Sequence, residues 1–166
     1  MLMFCLKSSI MLPVLLALGS CSALSPYSTQ TRLSLQVTAS DGLNPDINGR
    51  SSPVVLRLME LKHPVAFENM DFFSLYGRAR ESLSQDLVAS EELELLPGQR
   101  IFLKLKTGKD SQYVGVLAAY RNLPEVRWRH VIPLTTQSHT RVELTLDDAG
   151  VHRRDDYQPG RMTSHE

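Results

Sequence analysis

Residues 32–39 read RLSLQVTA, and their alternation of apolar and polar side chains indicates the fold class. Every second side chain from residue 33 to residue 39 is apolar, and the residues between them are Ser, Gln and Thr. Strict alternation of this kind is typical of a β-strand with one buried face. The sequence therefore predicts a half-buried first strand here.

The same alternation, or a short apolar run, returns along the rest of the chain. The run from Tyr113 to Tyr120 contains Gly115, which predicts a central strand with a close neighbour. Turn-forming residues separate these stretches, as at Pro97-Gly98. Further strands are predicted at residues 53–61, 93–95, 101–106, 113–120, 127–132 and 141–146.

One segment has helical spacing instead. Asp71 is placed to cap a helix from Phe72 to about Arg80, with apolar side chains three and four residues apart. About seven short strands with one helical insertion between the second and third show no βαβ rhythm. The sequence predicts a mainly all-β fold, an antiparallel β-sandwich of immunoglobulin-like or transthyretin-like type.

Length and composition limit the class of protein. The chain has 166 residues, which suits one domain, and its 18 basic residues balance 18 acidic ones. A net charge of zero argues against nucleic-acid binding, which usually needs a basic excess. Two cysteines are too few for a disulfide scaffold or a four-cysteine zinc site.

The N-terminus has the composition of a secretory signal. Lys7 is followed by a mostly apolar run to Leu18, which is too short to span a bilayer as a helix. The alternative is a buried N-terminal helix, but Pro13 and Gly19 disfavour it.

The signal ends in Leu18-Gly19-Ser20-Cys21, which resembles a bacterial lipobox. This resemblance implies cleavage before Cys21 and attachment of acyl chains to its sulfur and its new amine. The predicted organisation is a signal peptide at 1–20, a lipidated cysteine and polar tether at 21–30, a sandwich domain at 31–151 and a polar, disordered tail at 152–166. Residue 22 is Ser; in similar lipoproteins Asp at this position favours the inner membrane, so we expect the outer membrane.

Motifs for catalysis or metal binding are not found in the sequence. It lacks nucleophile-elbow, phosphate-loop, zincin and dinucleotide-binding patterns, and its five histidines stand apart. Asp147-Asp148 and Asp155-Asp156 suggest either acid–base or calcium chemistry, or a solvated turn and a charged tail, and we favour the second interpretation. We predict no enzymatic activity, no cofactor and no metal site.

Two groups of side chains allow a binding interpretation. Arg127 and Arg129 flank Trp128, which suggests either a stripe of cations or an ordinary solvent face. Six aromatic residues, Trp128 among them, line either a ligand groove or the core, and we favour the core. This aromatic set is Phe72, Phe73, Tyr76, Tyr113, Tyr120 and Trp128.

The loop from Asp41 to Ser52 is longer than ordinary hairpin connections. It contains two Gly, two Asn, two Asp, a Pro and an Arg, with Leu43 and Ile47 as isolated apolar side chains. A rigid loop with isolated apolar side chains among polar residues suits protein binding. An ordinary long loop without a binding role fits the same composition equally well.

Several motifs in order resemble one family. They are the lipobox, the Asn-Pro-Asp and Gly-Arg of the long loop, residues 52–62 (SPVVLRLMELK), residues 71–76 (DFFSLY), residues 96–98 (LPG), residues 113–121 (YVGVLAAYR) and Trp128-Arg129. Together they resemble the TssJ (VasD-type) outer-membrane lipoproteins of type VI secretion systems, from Cys21 to about Leu146.

This resemblance implies a transthyretin-like sandwich with an added helical element and a non-enzymatic role in the membrane complex. It implies that the domain tethers the periplasmic C-terminal region of an inner-membrane protein, TssM, to the outer membrane through the loop between the first two strands. The implied contact residues are Asn44, Pro45, Asp46, Asn48 and Arg50.

Two other functions stay open on the sequence. One is a periplasmic lipoprotein that carries a small apolar ligand among the aromatic residues. The other, weaker one is an envelope hydrolase, for which the sequence offers no catalytic residues.

Overall fold

A computed structural model describes residues 30–155 of the chain. In this range the chain forms eight strands, two α-helices and a short 3-10 helix at Leu123–Glu125. The helices are α1 (Val65–Asn69) and α2 (Phe72–Leu83). The strands are β1 (Arg32–Ala39), β2 (Val54–Leu61), β3 (Leu87–Leu95), β4 (Arg100–Lys106), β5 (Tyr113–Ala118), β6 (Arg129–Pro133), β7 (His139–Asp147) and β8 (Gly150–Arg153).

The strands form two four-stranded sheets. The first has the order β4-β1-β7-β8 and the second the order β3-β2-β5-β6. Neighbouring strands are antiparallel except β1 and β7, which run parallel from the pair Arg32 and His139 to the pair Ala39 and Leu146. The predicted mainly β sandwich is confirmed, and the parallel pair is the exception that local periodicity does not reveal.

The main core lies between the sheets and uses the alternating apolar residues. Leu33, Leu35 and Val37 of β1 are at most 1% exposed, and they pack with the inward side chains of the other strands. β2 contributes to two cores, because Leu56 faces the other sheet while Met59 faces the helices. The alternating apolar residues of the sequence are therefore the ones whose side chains face the interior of the sandwich.

The helical insertion covers the outer face of the second sheet. Phe67 of α1 and Leu75 of α2 are fully buried there against Met59 and Leu117. A Cβ on Gly115 would lie 2.9 Å from two carbons of the Phe67 ring, so this strand position must be glycine for the helix to approach. The predicted close neighbour of Gly115 is Phe67.

The two helices begin and end through identifiable contacts. The carboxylate of Asp71 accepts a hydrogen bond of 2.9 Å from the Ser74 N–H, which confirms the predicted cap. Hydrogen bonding by the Ser74 side chain and then by its backbone N–H lowers the pKa of Asp71. The sequence does not predict α1, whose end is held by Arg129: its Nη1 donates to the carbonyls of Phe67 (3.0 Å) and Met70 (2.7 Å).

The C-terminal boundary of the sandwich needs a correction. His152 and Arg153 belong to β8, which pairs with β7, so the domain extends past the predicted boundary at residue 151. The Arg154 N–H also donates to the Glu143 carbonyl, at 3.0 Å. The predicted signal peptide, Cys21, all but the last residue of the tether and residues 156–166 lie outside the described residues. Within residues 30–155, no helix has the length and hydropathy needed to span a membrane.

Candidate functional site

The long loop between β1 and β2 lies at one end of the sandwich. It leaves β1 after Ala39, whereas Arg32 begins β1 at the opposite end. Eight residues of β-strand span about 26 Å at roughly 3.3 Å per residue. The loop and the point where the N-terminal segment joins the domain are therefore separated by the length of the sandwich.

The tip of the loop is closed around one carboxylate. Asp46 Oδ1 accepts hydrogen bonds of 2.9 Å from the backbone N–H groups of Asn48 and Arg50, and Asp46 Oδ2 accepts one of 2.8 Å from Arg50 Nε. The Arg50 Nη2 lies 2.7 Å from the same oxygen. Hydrogen bonds from the Arg50 backbone and then its side chain hold the pKa of Asp46 below its usual value.

Backbone hydrogen bonds also close the segment from Asp46 to Arg50, which we call the Asp46 ring. The Asp46 N–H donates to the Arg50 carbonyl and the Gly49 N–H donates to the Asp46 carbonyl, both at 2.9 Å. Gly49 has a φ of 75°, a conformation that glycine adopts without strain. The five residues from Asp46 to Arg50 are thus organised by their own hydrogen bonds.

Asn44 fixes the loop to the body of the domain. Its side chain is 3% exposed; Nδ2 donates to the Pro53 carbonyl at 2.8 Å, and Oδ1 accepts from the Arg121 N–H at 2.9 Å. Asn44 has a φ of 47°, and Asn is among the few residues that tolerate the left-handed region. The loop is therefore tied both to its own exit and to the segment that follows β5.

The base of the loop is anchored by one apolar side chain. Leu43 is fully buried in the main core, and its carbonyl accepts a 3.0 Å hydrogen bond from the Ser52 N–H. The hydroxyl of Ser51 donates to the carbonyl of Asp41. Of the two isolated apolar residues seen in the sequence, Leu43 thus serves the core.

Ile47, the second isolated apolar residue of the loop, is completely exposed at the loop tip, with a relative exposure of 101%. An open groove of about 650 Å³ lies between the loop and the segment after β5. Its lining combines Ile47, Asn48 and Arg50 from the loop with Arg121 and Asn122 opposite. An exposed apolar point beside hydrogen-bonding groups is the composition expected of a protein-binding surface.

The five residues implied by the resemblance fall into two groups. Pro45, Asn48 and Arg50 are exposed. The carboxylate of Asp46 accepts hydrogen bonds within the loop, whereas the amide of Asn44 bonds to Pro53 and Arg121 outside it. Sequence reasoning did not select Arg121 and Asn122, which line the groove from 70 or more positions further along the chain. The Tyr120-Arg121 end of an apolar run is the only sequence feature that points to this side of the groove.

The aromatic set belongs mainly to the core, as predicted. The ring of Phe72 stacks on Tyr76 at 5.3 Å and meets Trp128 edge-on at 5.3 Å. Phe73 is 75% exposed on the helical insertion. Arg129 lies 4.4 Å from the Trp128 ring centroid, and burial lowers the pKa of its guanidinium. Phe72, Tyr76 and Trp128 therefore pack against one another in the core under the helices.

Tyr120 lies under the loop groove and is 5% exposed. Its hydroxyl is buried without a hydrogen-bond partner among residues 30–155. Burial, followed by the charges of Asp147 and Asp148, raises the pKa of this phenol well above its ordinary value. The hydroxyl is therefore neutral at any physiological pH.

One aspartate of each acidic pair, Asp147 and Asp155, makes a structural contact. Asp147 Oδ1 accepts hydrogen bonds from the N–H groups of Ala149 (2.9 Å) and Gly150 (3.1 Å), which closes the turn between β7 and β8. Asp155 lies 3.3 Å from Arg153, and Asp156 lies outside the described residues. No group of three or more His, Cys, Asp or Glu within residues 30–155 is placed to hold a metal ion.

The fold and this loop define a class of β-sandwich domain that presents a preorganised loop at one end. The family model of type VI secretion lipoproteins, described by the names VasD, EvfM and TssJ, matches residues 31–149. The chain belongs to this family of secretion lipoproteins. None of the curated proteins matches the chain significantly.

Solved structures agree with this assignment. The T6SS lipoprotein TssJ1 from Pseudomonas aeruginosa is 33% identical over 75% of this chain and 97% of its own, with a TM-score of 0.72. Lip from Serratia marcescens, described as a membrane-bound component of the type VI secretion system, is 26% identical over 74% of this chain and 96% of its own, with a TM-score of 0.69.

A third structure shows the fold alone. A chain of the structure described as the T6SS protein TssM C-terminal domain from EAEC is 20% identical over 74% of this chain and 97% of its own. Its TM-score is 0.62. These comparisons identify the sandwich as the fold of type VI secretion lipoproteins.

Proposed function

We propose that this chain is a non-enzymatic outer-membrane lipoprotein of a type VI secretion system. In this proposal, acyl chains on Cys21 hold the sandwich on the periplasmic face of the outer membrane. The loop from Asp41 to Ser52 then binds the periplasmic C-terminal region of a TssM-type inner-membrane protein. The observation that carries the proposal is the preorganised loop of a chain that belongs to this family.

The anchor is supported by the sequence around Cys21. A lipobox directly follows an apolar signal segment, and family members are described as lipoproteins. One acyl chain gives only marginal membrane binding, and a second makes anchoring stable. Several chains on one cysteine would keep the domain at the membrane surface and raise its effective concentration toward a partner there.

The binding role of the loop is supported by its rigidity. The loop is fixed by the Asp46 ring and by the two hydrogen bonds of Asn44 before any partner arrives. Association then costs little conformational entropy, because the contact residues are already ordered. Ile47 supplies an exposed apolar anchor, and Asn48 and Arg50 supply polar contacts around it.

The identity of the partner is supported by the descriptions of structures that share this fold. One names the TssM C-terminal domain, and another, 21% identical with a TM-score of 0.65, is described as a type VI membrane complex. A TssM-type protein in the inner membrane would need such a docking point on the opposite membrane, which an anchored loop provides.

The experiment examines the full chain in cells that carry a type VI system. We expect mass spectrometry to find acyl chains at residue 21, and outer-membrane fractions to contain the protein together with the TssM-type protein. Cys21→Ser should remove the protein from the outer-membrane fraction without changing its fold. An unmodified thiol at Cys21, or an envelope in which the two proteins never co-purify, would refute the proposal.

A further inference from the structure

The outer face of the first sheet is basic near the start of β1. Strand register places Lys106, Arg32 and His139 side by side in the first row, and Lys104 and Arg141 on either side of Ser34 in the next outward row. All five are exposed. We call these five residues the basic face.

Carboxylates lie beside the basic face and not within its two rows. Glu143, in the next outward row, faces Arg154 at 2.6 Å. Asp155 shares a groove with Lys104 and Arg141 and lies 3.3 Å from Arg153. Because these two acids each have an arginine of their own, the four Lys and Arg side chains of the basic face keep an excess of positive charge.

An aromatic side chain borders the basic face. Phe102 lies opposite Gln36 in the row after Lys104 and is 69% exposed. Phe102, Lys104 and Arg141 line a shallow groove of about 430 Å³. Surfaces that lie on membranes combine apolar side chains with Lys and Arg in this way, because the apolar part enters the interface while the cations meet anionic headgroups.

The position of the basic face in the chain indicates what covers it. Arg32 follows Cys21 by eleven residues, which span at most roughly 40 Å when fully extended. If Cys21 carries acyl chains, the basic face is held within reach of the headgroups of that leaflet. A short linker of this kind gives millimolar effective concentrations, so even a weak attraction to the headgroups is enough for the domain to bind the membrane surface.

We propose that the basic face docks on anionic phospholipid headgroups of the leaflet that anchors Cys21. This inference rests on the proposed function for its anchor. Docking through this face holds the start of β1 against the membrane. The loop from Asp41 to Ser52 lies at the other end of β1, outside the two docked rows, so it stays accessible from the periplasm. The lipid surface thereby orients the domain as well as locating it.

The test uses a chain of residues 22–166, which has no acyl chains. All the strands and helices of residues 30–155 lie between Arg32 and Arg153. The solved TssJ1 chain also consists almost entirely of this domain, since the match covers 97% of it, so we expect the domain to fold without the N-terminal segment. Binding is measured by co-flotation with vesicles of phosphatidylcholine containing phosphatidylglycerol, and with vesicles of phosphatidylcholine alone, at low salt.

We expect the wild-type chain to float only with the anionic vesicles. The triple variant Lys104→Gln, Lys106→Gln, Arg141→Gln should lower the partition coefficient roughly 100-fold, because each basic residue near an anionic leaflet strengthens binding by about fivefold. Lys104→Arg with Lys106→Arg should keep the wild-type value. The matched control Arg78→Gln, Arg80→Gln, Arg127→Gln changes the net charge equally on exposed positions elsewhere and should stay within about twofold of wild type.

Equal weakening by the two triple variants would overturn the proposal, as would wild-type binding that ignores phosphatidylglycerol. Self-association of the wild-type chain in analytical ultracentrifugation without vesicle binding would assign the basic face to a second copy instead. Circular dichroism melts confirm that each variant is folded. Because the chain lacks Cys21 and its loop is unchanged, the result is independent of acylation and of partner binding.

Discussion

The Oδ1 of Asn44 accepts a hydrogen bond of 2.9 Å from the backbone N–H of Arg121, across 77 positions of sequence. The Nδ2 of the same side chain donates to the carbonyl of Pro53. One buried amide therefore joins the entry of the loop, its exit and the segment after β5. Asn44 is therefore one source of the rigidity on which the proposed binding depends, together with the hydrogen bonds of Asp46.

Asn44→Ala should destabilise the domain by about 2 kcal/mol, because it leaves the Arg121 N–H and the Pro53 carbonyl without their partner. It also places alanine at a positive φ, which adds strain. Urea unfolding followed by circular dichroism measures the change in the free energy of unfolding. Asn44→Gly is the control, since glycine accepts the φ and isolates the loss of the hydrogen bonds. Wild-type stability for both variants would contradict this role.

Asp46 makes the order of the loop tip dependent on pH. Its pKa is lower in the folded loop than in an unfolded chain, so its contribution to loop order is complete above about pH 4 and is lost as the pH falls through the lowered pKa. A carboxyl NMR titration should place the midpoint of Asp46 below 3.8. The amide exchange of Asn48 and Arg50 should accelerate over the same pH range. A midpoint above 3.8 would show that the ring does not favour the charged form.

Gly115→Ala should destabilise the domain by about 1–3 kcal/mol through overpacking against Phe67. The added methyl group would lie 2.9 Å from two ring carbons and 3.1 Å from Leu61 Cδ1. Thermal or urea unfolding measures the loss. In the double variant with Phe67→Leu, the smaller side chain should recover part of it, and strictly additive effects would argue against the contact.

Tyr120→Phe should leave the free energy of unfolding unchanged or raise it by up to about 1 kcal/mol, because a buried hydroxyl without a partner stabilises nothing. The ring itself stays in the core. Urea unfolding of the variant against wild type is the measurement. A loss of more than about 1 kcal/mol would mean that the hydroxyl has a binding partner in the folded protein.

Local features of the sequence predict much of this fold. Alternation places β1, β2, β4 and β7, and Asp71 marks the start of α2, because these signals depend on neighbouring residues. Gly115 also predicts that another part of the chain packs closely against its strand, and this neighbour is Phe67. The parallel pairing of β1 with β7 is different, because pairing between distant strands leaves no mark in local periodicity.

Local sequence patterns do not predict the short or mostly polar helices and strands. α1 has only five residues, and β8 has four that include two basic side chains, so neither offers a periodic pattern long enough to detect. β3 is exposed over most of its length, which hides its start at Leu87. The long loop and its apolar points are visible in the sequence, but the link from Asn44 to Arg121 is not, because one hydrogen bond joins segments far apart.

The affinity of the domain for its proposed partner shows whether the loop from Asp41 to Ser52 is the binding site. Isothermal titration of the domain with the periplasmic C-terminal region of the TssM-type protein gives the Kd for wild type, Ile47→Asp and Phe73→Asp. Ile47 and Phe73 are both exposed apolar residues, but only Ile47 lies in the loop. We predict a Kd at least about 30-fold weaker for Ile47→Asp, the effect of a central anchor residue, and an unchanged Kd for Phe73→Asp. Wild-type affinity for Ile47→Asp with loss of binding for Phe73→Asp would contradict this prediction.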